Sequence, residues 1–534
     1  MMHTELIASV PELLRRQARS RPDKVAYRDA QGSVTYAALA AATANLAGNL
    51  QQLGIAEGDR VALMVPNSVA WVVSCLAALR AGALCVPISY DSVPPEISYR
   101  LLDSGARVLI TTDERMGQLE QILKEAPSVE RVILVSRGAR AAAGLRYEEL
   151  VAKPGPTAPR DPDNIDDASF IIYTSGTTGR AKGVLLSVHS MLWVTVACWI
   201  PSVNLSEADY VLSPLPLFHS YALNISVLSI LALGASEYIM EKYSTQEVRA
   251  LLGKGEFTVM PGVPTMFHYL LEAAKSDSEG RLPGLRACIS AGAIMTAGLN
   301  TSFEERFGVK LLDGYGITET ATMVTMNWLG GTRVPGSCGL PVPGLATRII
   351  EPGSGRDVEF GEEGELIVRG PNLMKGYYNK PAETANAIRN GWYHTGDLAR
   401  SDKNGYLTIT GRLKELVIRG GQNIAPAEVE IAVSGFAGVM DCAVLGAPHD
   451  KLGEVPVVFV VQRPGEAVDA QSLIAYCRTQ LSAYKVPEAV YFVDSIPRTG
   501  SGKTMRYKLR ELLPDRSVRS AQVDKGMPAS AIKA

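Results

Sequence analysis

Tyr173-Thr-Ser-Gly-Thr-Thr-Gly-Arg-Ala-Lys-Gly-Val184 decides how this chain is read. Gly176, Gly179 and Gly183 let a backbone turn through positive φ and bring its N–H groups close to a ligand. Thr174, Ser175, Thr177 and Thr178 add short hydroxyl donors, and Lys182 adds a point charge. The stretch is composed to wrap a polyphosphate. It lies between two apolar runs that read as strands, Ala168–Ile172 and Val184–Leu186, so a strand–loop–strand turn is expected. No Gly-Lys-Ser/Thr closes it at the Walker distance from its first glycine.

Outward from this loop, strand-like runs at 60–65, 84–88, 107–110 and 131–135 alternate with helical runs at 69–81, 93–104 and 115–125. That alternation predicts layered α/β subdomains around largely parallel sheets. Residues 5–20 carry Leu6, Val10, Leu13 and Leu14 at helical spacing with Arg15, Arg16 and Arg19 opposite, which predicts a surface amphipathic helix. A Pro-rich connector at 153–162 starts a new subdomain, and a second α/β run follows to about 325. From about 335 the pattern shifts to short β segments and Gly-rich turns. After Arg412 a compact β-α-β segment runs to about 515, with strands expected near 414–419, 441–446, 456–462 and 490–496. The predicted domains are 1–413, a large α/β domain with a β-rich subdomain, and 414–534, a small mobile α+β domain.

At 534 residues the chain is long enough for several cores. Its net charge of −2, with both signs interspersed, argues against nucleic acid or an anionic membrane as main partner. Seven scattered cysteines without a CxxC pair read as reduced core residues of a cytoplasmic protein. The N-terminus lacks an apolar signal core, so no export is expected. The apolar run 221–235 is shorter than the roughly 20 residues a spanning helix needs, which predicts a buried helix beside a pocket and no integral membrane segment.

Four further stretches carry chemistry. In Asp313-Gly-Tyr-Gly-Ile-Thr-Glu-Thr320, Gly314 and Gly316 flank a ring able to stack on a flat base, and Thr318 with Glu319 offers a hydroxyl and a hard oxygen ligand. In Trp392-Tyr-His-Thr-Gly-Asp-Leu398, Asp397 follows a glycine turn and suits two ribose hydroxyls; Arg412 is the natural second contact. Gly411-Arg-Leu-Lys-Glu-Leu-Val-Ile-Arg-Gly-Gly421 leads into the C-terminal segment. Pro497-Arg-Thr-Gly-Ser-Gly-Lys503 places a lysine on a glycine-rich loop, with Pro497 where a Walker loop needs its first glycine.

With Leu215-Pro-Leu-Phe-His219, these stretches make the chain, from about residue 10 to 512, resemble the adenylate-forming superfamily. It is most similar to the acyl-CoA and 4-coumarate-CoA-ligase-like branch. The resemblance implies an AMP-forming ligase that uses ATP, Mg²⁺ and coenzyme A. The loop 174–182 would grip the β- and γ-phosphates, Tyr315 would stack on adenine and Asp313 would lie near its amine. Thr318 would contact the α-phosphate, Glu319 would bind Mg²⁺, and Asp397 with Arg412 would hold the ribose. Lys503 matches the catalytic lysine, Lys414 the hinge, and His219 an aromatic gate. The acyl pocket would involve His219, Tyr221, Asn224, Ala291, Gly292 and Ala293, and Gly420 and Gly421 would admit the pantetheine arm. A medium- or long-chain fatty acid and an aryl acid both fit. Two other readings stand beside it: a free-standing enzyme that loads a carrier-protein pantetheine, and a non-catalytic nucleotide-binding homologue.

Overall fold

The computed structural model describes residues 3–136, 144–174, 181–276, 281–419, 422–449, 451–499 and 502–513. It is mixed α/β, as the alternation predicts, and packs as two compact units. One comprises Met1–Ala346 with Val368–Tyr393, the other Thr347–Ile367 with His394–Ala534.

Two sheets organise the first unit. In one, the parallel strands Leu84–Pro87, Arg60–Leu63, Val108–Thr112 and Arg131–Val135 lie beside Ala168–Thr174, which turns back antiparallel on Lys182–Ser187. Val61, Leu63, Cys85, Val108 and Ile110 face one layer while Ala62, Val86 and Leu109 face another, so helices cover both sides. In the other sheet, Lys310–Tyr315, Ala287–Ser290, Val259–Gly262, Tyr210–Ser213, Ser236–Ile239 and Val25–Arg28 run parallel in that spatial order. Ends of parallel strands gather the loops that follow them, the usual place for a ligand in an open α/β sheet.

The N-terminal helix spans Val10–Ser20, shorter than the hydrophobic spacing suggests, with Pro11 in its first turn where a missing N–H costs nothing. Its inner face is fully buried through Leu13 and Leu14, and Gln17 donates to the Ala232 carbonyl at 3.0 Å, so the helix is part of the core. The apolar run after His219 is helical from Ser220 to Leu233 and buried, with a π-helical centre at Leu223–Leu228. Among the described residues no helix is long and apolar enough to cross a membrane.

In the second unit the strands Leu407–Arg412 and Trp392–Ser401 pair antiparallel, with Asp397 directly opposite Arg412. Val439–His449 pairs antiparallel with Gly453–Gln462, which runs parallel to Ala489–Phe492. The helices Pro426–Ser434 and Ala470–Gln480 bury Val429, Val433, Leu473 and Cys477 against Val444, Val458 and Val460. All seven cysteines are buried and unbridged.

Candidate active site

The Gly/Thr-rich stretch begins and ends on one hairpin. Thr174 and Lys182 are cross-strand partners, as are Tyr173 and Gly183. The Tyr173 hydroxyl donates to Asp103 at 2.7 Å, and the Tyr99 hydroxyl donates to the Ala181 carbonyl at 2.7 Å. Both ends of the turn are therefore held by helix Pro94–Ser104. Ser175, Gly176, Thr177, Thr178 and Gly179 lie outside the described residues, as do Gly420 and Gly421. The Lys182 ammonium pairs with Glu383 and stands 4.9 Å from the centre of the Tyr377 ring. That pairing holds the Glu383 carboxyl below its ordinary pKa.

Parallel pairing of Ser290 with Asp313 sets two segments side by side, 291–293 and the 316–319 stretch that follows the strand Lys310–Tyr315. Gly292 sits exposed at φ +89°, a backbone setting that favours glycine. At Gly316 an added Cβ would come within 1.4 Å of the Thr322 carbonyl oxygen, so only glycine fits. Gly314 is buried and the neighbouring Tyr315 half-buried. Asp313 is buried, and one of its carboxyl oxygens has no hydrogen-bond partner. Burial pushes its pKa well up, opposed in smaller measure by the Gly314 N–H. Beside it lies a small cleft that Asn300, Asn327, Arg333 and Ser337 also line.

Thr318 is buried, and its hydroxyl lies 3.3 Å from that of Ser220 at the start of the apolar helix. The DGYGITE segment and the LPLFHSY segment thus meet at two hydroxyls. His219 caps this helix, its Nδ1 accepting from the Tyr221 N–H at 3.4 Å. Tyr221 packs its ring 6.1 Å from Trp199 and donates its hydroxyl to the Ile289 carbonyl at 3.3 Å. Asn224 is spoken for: its carbonyl accepts from Trp199 Nε1 at 2.6 Å, and its amide donates to the Met191 carbonyl at 2.7 Å. Ala291 is buried and Ala293 half-buried.

Glu319 has partners that sequence reasoning missed. Tyr377 donates its hydroxyl to Glu319 Oε1 at 3.0 Å, and Tyr393 lies 3.5 Å further on. Burial first, then the Glu319 charge, raises the pKa of both phenols, so both stay protonated donors. Asn372 ties the same region down by donating to the Thr320 and Met323 carbonyls, each at 2.8 Å.

On the second unit, Arg412 Nε donates to Asp397 Oδ1 at 2.7 Å, with the carboxylate 4 % exposed. The Thr395 hydroxyl accepts from the Asp397 N–H at 3.0 Å and donates to the Leu366 carbonyl at 2.6 Å, fixing the glycine turn. Lys414 sits in the short helical turn Leu413–Glu415 immediately after Arg412. The Lys503 backbone exchanges two hydrogen bonds with Thr499: its N–H donates to the side-chain Oγ1 at 3.1 Å and its carbonyl accepts from the Thr499 N–H at 2.8 Å.

Side-by-side segments at the ends of parallel strands, a backbone turn only glycine can make and a buried hydroxyl beside a carboxylate form a polar corner of an α/β sheet, where such folds take their ligands. Comparison with known proteins agrees. The AMP-binding enzyme family matches residues 14–378, and the AMP-binding enzyme C-terminal domain matches 428–503. A feruloyl-CoA synthase of Amycolatopsis sp. is 36% identical over 93% of this chain and 97% of its own. A long-chain-fatty-acid–CoA ligase of Bacillus subtilis (strain 168) is 32% identical over 94% of each. The crystal structure of the anthranilate CoA ligase AuaEII in complex with anthranoyl-AMP superposes with a TM-score of 0.87 at 26% identity, covering 94% of this chain and 97% of that one. The chain belongs to the AMP-binding enzyme family. It is an AMP-forming acid–thiol ligase, of the class whose CoA-ligase members take ATP and CoA as substrates.

Proposed function

We propose that this enzyme activates an apolar monocarboxylic acid, aryl or medium- to long-chain aliphatic, and transfers the acyl group to CoA in the cytoplasm, where ATP and CoA are supplied. The observation that carries this reading is the 3.3 Å approach of the Thr318 and Ser220 hydroxyls. It sets the proposed α-phosphate contact at the mouth of a helix, Ser220–Leu233, that has no charged residue along its length. The preceding helical run, 188–203, also has no Lys or Arg to pair a second carboxylate. The two curated relatives, one named for an aryl acid and one for fatty acids, support both branches of that class.

The chemistry explains the residue types. A carboxylate must attack the α-phosphorus of ATP, and two such anions repel by about 5 kcal/mol at ~3.5 Å with an effective dielectric near 20. Lys503 offsets that repulsion, and the N–H groups and hydroxyls of 174–182 hold the β- and γ-phosphates. Glu319 fits a magnesium ion: it is a hard oxygen donor whose Oε1 is oriented by Tyr377, and magnesium takes one or two carboxylates plus substrate phosphates. Mg²⁺ bound there neutralises phosphate charge. Tyr315 stacks on adenine, Asp313 faces its amine, and Asp397 with Arg412 holds the ribose. Expulsion of pyrophosphate leaves an acyl-adenylate, which reacts with water unless the site is closed. Residues 414–534 then turn about Lys414, the CoA thiolate attacks the acyl carbon, and AMP leaves. Gly420 and Gly421 supply backbone without side chains beside the pantetheine arm.

The test is kcat/KM across aryl, medium-chain, long-chain and dicarboxylic acids, with CoA or a pantetheinylated carrier protein as acceptor. An apolar monocarboxylate with CoA is expected to win. Preference for a dicarboxylate, or transfer to the carrier alone, would overturn the reading. Lys503→Ala is expected to slow adenylation by about 10² and to spare thioester formation from supplied acyl-adenylate.

A further inference from the structure

Lys503 stands on a narrow loop that one arginine grips from both sides. Arg498 Nη1 donates to the Gly502 carbonyl at 3.2 Å and to the Thr504 hydroxyl at 2.9 Å, the residues on either side of Lys503. Its Nη2 donates to both carboxylate oxygens of Asp441, at 2.7 and 3.0 Å. Asp441 lies near the start of the edge strand Val439–His449, beside an irregularity in its pairing with the central strand Gly453–Gln462. The same guanidinium therefore touches the domain's sheet and both neighbours of Lys503. The backbone closes the loop around it: Arg498 and Thr504 form an isolated antiparallel bridge, Gly502 N–H donates to the Thr499 carbonyl at 2.8 Å, and Gly502 holds φ +82°. A second anchor lies just downstream. Arg506 donates to the Val444 carbonyl on that strand at 2.9 Å, to Glu430 at 2.6 Å, and to Glu415, next to Lys414, at 2.7 Å.

From this geometry we infer that Arg498, held by Asp441, is the positioning residue for Lys503. The inference rests on the reading of Lys503 as the adenylation lysine. A lysine on a four-carbon stem has wide freedom at its tip, so the place of its Cα sets what the ammonium can reach. Arg498 removes the freedom of that Cα by holding the peptide before it and the side chain after it. Loss of the grip displaces the charge from the α-phosphate without touching the later step, in which Lys503 has no part. Lysine at 498 restores one charge for Asp441 but lacks the planar fork that spans Asp441, Gly502 and Thr504 at once.

The experiment measures both half-reactions, acid-dependent pyrophosphate release and thioester formation from supplied acyl-adenylate, in Arg498→Gln, Arg498→Lys, Asp441→Asn, the Gln/Asn double variant and Lys503→Ala. Arg498→Gln and Asp441→Asn should each lower kcat of adenylation by about tenfold, less than the roughly 10²-fold that a full 1 Å misplacement can cost. The thioester step should stay within about twofold of wild type, and the double variant should be no slower than the worse single one, because the pair acts as a unit. Arg498→Lys should fall between Gln and Arg. Equal loss in both half-reactions would mark Arg498 as merely structural and overturn the proposal. So would unchanged adenylation in Arg498→Gln and Asp441→Asn where Lys503→Ala is impaired. Should Lys503→Ala itself spare adenylation, the reading of Lys503 falls and this proposal with it.

Discussion

Tyr377 donates its phenolic hydroxyl to Glu319 at 3.0 Å while its ring lies under the Lys182 ammonium, 4.9 Å from the ring centre. One side chain thus touches both the end of the Gly/Thr-rich stretch and the proposed metal ligand. Removing only the hydroxyl, as in Tyr377→Phe, keeps the ring and takes a donor from a carboxylate. A hydrogen bond to a charged group contributes about 1.5 kcal/mol or more. KM for Mg·ATP should rise about tenfold. Steady-state kinetics at several magnesium concentrations check this, and an unchanged KM would remove Tyr377 from the site.

Arg412 and Asp397 are cross-strand partners joined at 2.7 Å. Asp397 is almost wholly buried, so Arg412→Leu leaves a carboxylate without its partner charge. Because the guanidinium is 28 % exposed, water recovers part of the loss. A destabilisation of about 2 kcal/mol is expected by urea unfolding, together with a raised KM for ATP. A change under about 0.5 kcal/mol would show that the pair matters little to the fold.

Glu237 is fully buried on the strand Ser236–Ile239, with the Ser226 hydroxyl near its carboxyl. Burial raises its pKa well above the ordinary 4.5, opposed in smaller measure by the Ser226 hydroxyl. Tyr27 and Tyr36, both buried, share its electrostatic surroundings, and their pKa values are raised too. Glu237 therefore keeps its proton to higher pH in the fold than in the unfolded chain, where it ionises above about pH 4.5. The stability this group gives is complete below that value and is lost as pH rises through the folded value. Glu237→Gln removes the titration while keeping the shape. Its stability relative to wild type should improve by up to about 1.4 kcal/mol per pH unit across the window. A difference constant from about pH 5 to about pH 8 would contradict a protonated Glu237.

Much of this architecture is legible in the chain because it is written locally. Strand-like runs at 60–65, 84–88 and 131–135 contain the strands Arg60–Leu63, Leu84–Pro87 and Arg131–Val135, and apolar runs on either side of the Gly/Thr stretch predict the hairpin that pairs Thr174 with Lys182. Asp397 and Arg412 could be matched by chemistry alone, and they meet across one ladder. Tyr377, Asn372 and Glu383 could not, because they reach Glu319, Thr320 and Lys182 across 52 to 201 residues of chain. No periodicity records such a contact. The partners of Asn224 are no more legible: its amide group bonds Trp199 and Met191 on the preceding helical run, 25 and 33 residues away.

The most direct measurement of the central claim is mass spectrometry of a single turnover: the protein, Mg·ATP and its preferred acid are mixed without CoA, and CoA is then added. An acyl-adenylate with stoichiometric pyrophosphate should form first and convert to acyl-CoA and AMP on the addition. ADP and phosphate as products, or no acid-dependent product at all, would contradict it.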